Sequence, residues 1–107
     1  MDAYDVLLKA QELIRSPEHW CQGVLAKDRS GMPTVNLKAA YSRCSLGALK
    51  TLSEQPTYQE GAALYLAAWE MGFRDVSALN DSCTHEQVMQ MFDRAREIVA
   101  SGAGSTS

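Results

Sequence analysis

The stretch AALYLAAWEMGF, residues 62–73, decides how the fold is read. It carries apolar side chains around nearly the whole circumference of a helix. A helix of that kind is expected to be enclosed, either by its own domain or by a partner chain. Thr57-Tyr58-Gln59-Glu60, just before it, has the spacing of a capping box: the Thr57 hydroxyl serves the Glu60 amide and the Glu60 carboxylate reaches back. Gly72 suits the left-handed residue that follows a helix end. Trp69, inside the run, reads as a packed core residue. The segment therefore predicts the third and central helix of a bundle.

On the C-terminal side, residues 73–83 read as a connection in which Asn80-Asp81 fixes the entry of the next helix. Thr84-His85-Glu86-Gln87 is a second capping box. Val88, Met91, Phe92, Ala95, Ile98 and Val99 then form one apolar stripe, predicting a helix that ends near Ala100. The tail at 101–107, SGAGSTS, has nothing to bury and is expected to be flexible. On the N-terminal side, Pro56 stands between the central helix and a helix expected from Asn36, as cap, to about Ser53. Its apolar side would hold Leu37, Ala40, Tyr41, Cys44, Ala48 and Leu52. Gly47 in mid-helix costs about 1 kcal/mol relative to Ala, so another backbone is expected to come close there.

Residues 20–35, WCQGVLAKDRSGMPTV, interrupt the helical pattern. Gly23, Gly31 and Pro33 punctuate the segment, which reads as a short β-hairpin or an irregular excursion packed on the helices. Before it, Ala3, Val6, Leu7, Ala10, Leu13 and Ile14 keep the spacing of one helical face. Asp2 is a natural cap and Pro17 a natural stop, giving a helix at about 3–15. The fold class expected is mainly α: a compact antiparallel bundle of about four helices with a hairpin-like or irregular insert at 20–35. Residues 1–100 would form one domain.

Bulk properties bound the function. Thirteen carboxylates against ten Lys and Arg give a formal charge of −3, which argues against nucleic acid as the partner. It is also too weak an excess for a DNA mimic. Three cysteines and an acid-bearing N-terminus in place of a basic leader predict a cytoplasmic setting. No apolar run is long enough to span a bilayer, so no membrane is expected.

Candidate chemistry is sparse. Cys21, Cys83 and His85 are the residues that a small Cys/His enzyme or metal protein would use, but no local signature joins them. Cys83-Thr84-His85 lacks the knuckle spacing of a zinc site, and no metal or cofactor is expected. Cys44 reads as a core cysteine. Asp2 with Asp5 reads as helix capping, and Asp75 with Asp81 as turn chemistry. No glycine spacing matches a phosphate loop. Lys27, Arg29, Lys38, Arg43 and Lys50 surround the insert, either as a solvated face or as a contact for an acidic partner surface. Trp20 beside the insert is either core or an interface anchor.

The landmarks Trp20-Cys21-Gln22-Gly23, Ala40 to Cys44, Gly47-Ala48-Leu49, Leu79-Asn80-Asp81 and the Thr-capped helix with Val88, Phe92 and Ala95 follow a familiar order. In this the chain resembles a family of small uncharacterised proteins of bacteriophages and bacteria, from about residue 6 to 99. The resemblance implies a small accessory protein of a phage or mobile element, with no assigned reaction. The leading expectation is a non-enzymatic interaction module that binds a protein partner or its own copy through Trp20, Gln22, Lys27, Arg29 and Met32. Inhibition of a host defence complex during infection is one version, by analogy alone. The alternatives are a small enzyme or metal protein using Cys21, Cys83 and His85, and a nucleic-acid-binding regulator.

Overall fold

The computed structural model describes residues 2–53 and 58–102. Five α-helices and a two-stranded sheet follow one another: α1 (Ala3–Leu13), β1 (Ala26–Lys27), β2 (Ser42–Arg43), α2 (Ser45–Leu52), α3 (Tyr58–Glu70), α4 (Val76–Ser82) and α5 (His85–Ala100). Two 3-10 turns, Pro17–His19 and Leu37–Ala39, lie between α1 and α2. The fold is mainly helical, as expected, with five helices among the described residues where four were read.

The body is built by α1, α2, α3 and α5, with α3 packed most extensively on α5 and α2 on α1. The stripe of α5 is fully used: Val88, Met91, Phe92, Ala95 and Ile98 are all buried. Its Thr84–Gln87 capping box closes in both directions. From α1 come Val6, Leu7 and Ala10, and Ile14 just after it is sealed as well. One polar strut crosses this interface. The Gln11 amide is buried, donates to the Met89 carbonyl and the Asp93 carboxylate, and accepts from Arg96. A buried amide must be served in this way, because an unmet polar group costs about 1–3 kcal/mol.

The central segment is helical, but it is enclosed on one side only. Ala63, Leu64, Ala67 and Ala68 are sealed against the body. Tyr65 is 47% exposed, Leu66 36% and Trp69 63%, so Trp69 is not the core residue the sequence suggests. An apolar circumference says that any face can be buried, and only the placement of α1 and α5 selects the one that is. Gly72 adopts φ 95°, and the Phe73 amide returns to the Ala68 carbonyl, as a left-handed helix stop requires. Thr57 of the expected capping box, Pro56 and residues 103–107 of the tail lie outside the described residues.

Two elements depart from the sequence reading. The second helix does not run from Asn36 to Ser53. Asn36 caps only the 3-10 turn, accepting from the Ala39 amide, and Ala40 is extended. The chain then pairs as β2 before α2 begins at Ser45, so Ala40, Tyr41 and Cys44 are not on a helical face. Cys44 is instead the N-cap of α2, its Sγ accepting the Gly47 amide at 3.3 Å. Arg43 explains the early break. Its guanidinium is buried and folds back onto the Leu37 carbonyl and the Thr51 hydroxyl, a closure that a continuous helix would not permit. The second departure is α4, which occupies most of the expected connection at 73–83. Asp75 caps it through the Ala78 amide, and Val76 and Leu79 are its buried apolar residues. Two buried apolar residues are too few to show a period.

Gly47 fulfils its expectation. A Cβ there would lie 2.0 Å from the Leu25 carbonyl oxygen, so the insert backbone lies directly on α2. The insert itself is not a simple hairpin. β1 pairs antiparallel with β2, Ala26 opposite Arg43 and Lys27 opposite Ser42. Trp20 lies parallel to Arg43, and the tip folds back so that Lys27 meets Pro33.

Candidate functional site

The insert is positioned by one buried side chain, Asn80 of α4. Its Oδ1 accepts from the Trp20 indole N–H at 2.9 Å, the Ser45 amide at 2.9 Å and the Ser45 hydroxyl at 2.7 Å. Its Nδ2 donates to the Cys21 carbonyl at 3.1 Å and to the Asp81 carboxylate at 3.0 Å. Asp81 also accepts from the Gly23 amide at 2.9 Å. Gln22 closes the frame by donating to the carbonyls of Asn80 and Cys83. Three stretches of the chain, at 20–23, at 45 and at 80–83, are thus tied together around one amide. Such a network favours one arrangement because its buried members, Asn80 and Ser45, would otherwise be stranded away from water.

On this frame, Trp20, Gln22, Lys27 and Arg29 line one open groove of about 540 Å³, with Tyr41 and Glu18 beside them. Trp20 and Gln22 turn their polar ends inward to Asn80 and Cys83 and present their remaining surface to the groove. Arg29 lies 5.1 Å over the Tyr41 ring, within cation–π range. Tyr41 in turn packs on His19 at 4.8 Å, and the His19 Nδ1 donates to the Tyr41 carbonyl. A carbonyl can only accept, so that nitrogen carries the proton. Met32 is not on the groove wall but is 62% exposed on the adjoining tip.

Asp28 shapes the tip. Its carboxylate accepts from the Ser30 hydroxyl, the Ser30 amide and the Met32 amide. Those bonds, the Ser30 hydroxyl first, hold its pKa below the usual carboxylate range.

Cys21 and His85, two of the residues a small Cys/His enzyme would use, have separate hydrogen-bond partners. All three cysteines are buried and free. Burial pushes the Cys21, Cys44 and Cys83 thiols up, away from the reactive thiolate; at Cys21 the Ser42 hydrogen bond and Lys27 oppose that rise only partly. The His85 Nε2 donates to the Ile14 carbonyl at 2.7 Å, and its ring meets Trp20 edge-on. Among the described residues no hydrogen bond joins a thiol to His85, and no three His, Cys, Asp or Glu residues are placed to share a metal ion. No helix is long and apolar enough to cross a membrane, among the described residues.

A family model covers residues 1–98 of the chain. The chain belongs to DUF6197, a family of unknown function. No curated protein matches it, and no solved structure does. Two of the landmarks read from the sequence have a structural meaning here: Trp20-Cys21-Gln22-Gly23 and Asn80-Asp81 are parts of one hydrogen-bonded frame. Sequence reading missed Asn80 as the hub and Tyr41 as a groove-lining residue. The Asn-Asp pair was legible as a structural signal, but its partners lie 35 to 60 positions away and leave no local spacing to find.

Proposed function

We propose that this DUF6197 chain is a non-enzymatic protein-interaction module whose working surface is the groove between the Pro17–His19 turn and the insert tip. The observation that carries this reading is the convergence of Trp20, Gln22, Lys27 and Arg29 on one open groove over a hydrogen-bonded polar frame. Interfaces favour such a setting, where aromatic and Arg side chains stand on a scaffold that loses little entropy on binding. The buried, proton-holding thiols weigh against the enzyme reading. The resemblance to phage and bacterial proteins supports a finer version, in which the partner is a host protein complex, met and inhibited in the host cytoplasm.

The test is capture from a bacterial host lysate with the wild-type chain and with Lys27→Glu/Arg29→Glu. A stoichiometric partner retained by the wild type and lost by the variant, with unchanged circular dichroism, supports the groove. A partner that both chains retain equally, or none at all, removes it.

A second reading rests on a different observation. The outer face of α3 leaves Tyr65, Leu66 and Trp69 exposed as a contiguous apolar ridge. Self-association through that ridge would cover it. Light scattering across a concentration series decides: a dimer that Trp69→Asp converts to monomer supports it, and a monomer at all concentrations rejects it.

A further inference from the structure

We infer that the groove and the insert tip take an acidic polypeptide segment, one in which carboxylates alternate with large apolar side chains; this rests on the groove being the working surface. The observation is a segregation of charge. Between Trp20 and Ser53 the chain carries Lys27, Arg29, Lys38, Arg43 and Lys50 against Asp28 alone, a net +4. The whole chain has −3, so the remainder carries −7. The mild overall acidity therefore hides a cationic lobe on an acidic body.

The structure leaves that positive charge available. The Asp28 carboxylate is held by Ser30 and Met32 within its own loop and forms no ion pair with Lys27 or Arg29; its charge is already counted in the net +4. Arg43 is buried with its guanidinium on carbonyls and the Thr51 hydroxyl, and no described carboxylate pairs with it. Its charge adds to the potential of the lobe from beneath. Lys27, Arg29, Lys38 and Lys50 form no ion pair with another described residue. Glu18 is the one other carboxylate on the groove wall.

Apolar side chains are set among these cations. Val35 is 99% exposed, and with Lys38 and Lys50 it borders a second depression of about 410 Å³. Met32 and Leu25 are exposed on the same excursion. Charge of one sign interleaved with bare apolar residues fits a peptide that offers carboxylates and apolar anchors in turn. It does not suit nucleic acid. Binding there is driven by neutralising phosphates with Lys and Arg, and this lobe offers four exposed or half-exposed cations on a chain that is acidic overall. The acidic body would also repel a long polyanion.

The experiment is selection of displayed peptides of about 12 residues on the full chain, followed by affinity measurement with the winning synthetic peptides. Lys27→Glu/Arg29→Glu tests the groove. Lys9→Glu/Arg74→Glu makes the same charge change at two exposed residues that do not line it. The expected winners are rich in Asp and Glu with interspersed Leu, Phe or Trp. Their affinity should fall at least about tenfold between about 50 and about 500 mM NaCl. The groove variant should lose at least about tenfold and the control less than about twofold, since a distant exposed charge is largely screened. Winners without acidic bias that still depend on the groove would overturn the acidic occupant and leave the groove reading standing. No winners, or winners indifferent to the groove variant, would overturn both. Equal affinity for a duplex of about 20 base pairs, or a salt-sensitive self-association that blocks peptide binding, would replace the acidic peptide with a nucleic acid or a second copy.

Discussion

Two regions of the molecule meet at Asn80, and they are held by different forces. The body of α1, α2, α3 and α5 is a sealed apolar interior in which Leu7, Ile14, Leu64, Met91 and Phe92 have essentially no contact with water. The excursion from Trp20 to Cys44 buries little: Cys21, Ala26 and Cys44 are its only buried apolar residues. What holds it is a set of hydrogen bonds to one amide, plus the close seat of Leu25 on Gly47. Apolar burial is non-directional and tolerates several arrangements, whereas a satisfied polar network favours one. The contrast shows how a groove open to solvent can be held in place by polar contacts rather than by an apolar core.

The comparison can be broken from either side. The largest expected effect is in the body. Phe92→Ala empties a fully buried ring site and should cost about 3–5 kcal/mol, read as a drop in the urea midpoint with one cooperative transition. Asn80→Ala should follow closely, at about 2–4 kcal/mol, because the Trp20 indole, the Ser45 amide and the Ser45 hydroxyl all lose their acceptor. Its signature differs: hydrogen exchange should rise first at the Cys21 and Cys44 amides and leave α5 protected. Equal loss of protection in α5 would show that the two regions are not separately held. Gly47→Ala comes next, at about 2–3 kcal/mol, since backbone must move to admit the new methyl group. In an ordinary helix interior the same change would stabilise.

Smaller effects sharpen the picture. The raised thiols bind protons more tightly in the fold than in the unfolded chain, where the ordinary value is about 9. The unfolded state releases those protons first as the solution becomes alkaline. The stabilisation is therefore whole below about pH 9 and is lost as pH rises through the thiol range. A urea midpoint that falls between about pH 8 and pH 10 in the wild type, and falls less in Cys44→Ala, checks the sign. Trp69→Ser should be the mildest, within about 0.5 kcal/mol in the monomer, because the ring is mostly in water. A larger loss, measured as a concentration-dependent midpoint, would place α3's outer face in an interface.

Legibility in the sequence tracks the same division. Helices α1 and α5 of the body announce themselves: Val88 to Val99 and Ala3 to Ile14 repeat at the helical period, and Asp2 and Thr84 cap as their types demand. Gly47 foretold a close backbone because its cost in a helix needs a compensation. The excursion was harder. Tyr41 and Cys44 have the spacing of a helical face with Leu37 and Ala48, yet β2 and the folded-back Arg43 interrupt that helix. The groove residues Trp20, Gln22, Lys27 and Arg29 could be named, but not the frame that gathers them. α4 was invisible because seven residues with two buried apolar side chains leave no period.

By itself the sequence determined which segments can be helical, where α1 and α5 start, and that residues 20–35 would stand apart from them. Local forces act within a few residues, so a short window of chain carries them. Only the tertiary structure decided which face of α3 is covered, where α2 begins, and that Trp20, Cys21, Ser45 and Asn80 share one hub. Those outcomes depend on atoms brought together from distant positions, where a hydrogen bond gains its worth from the water that the surrounding fold excludes.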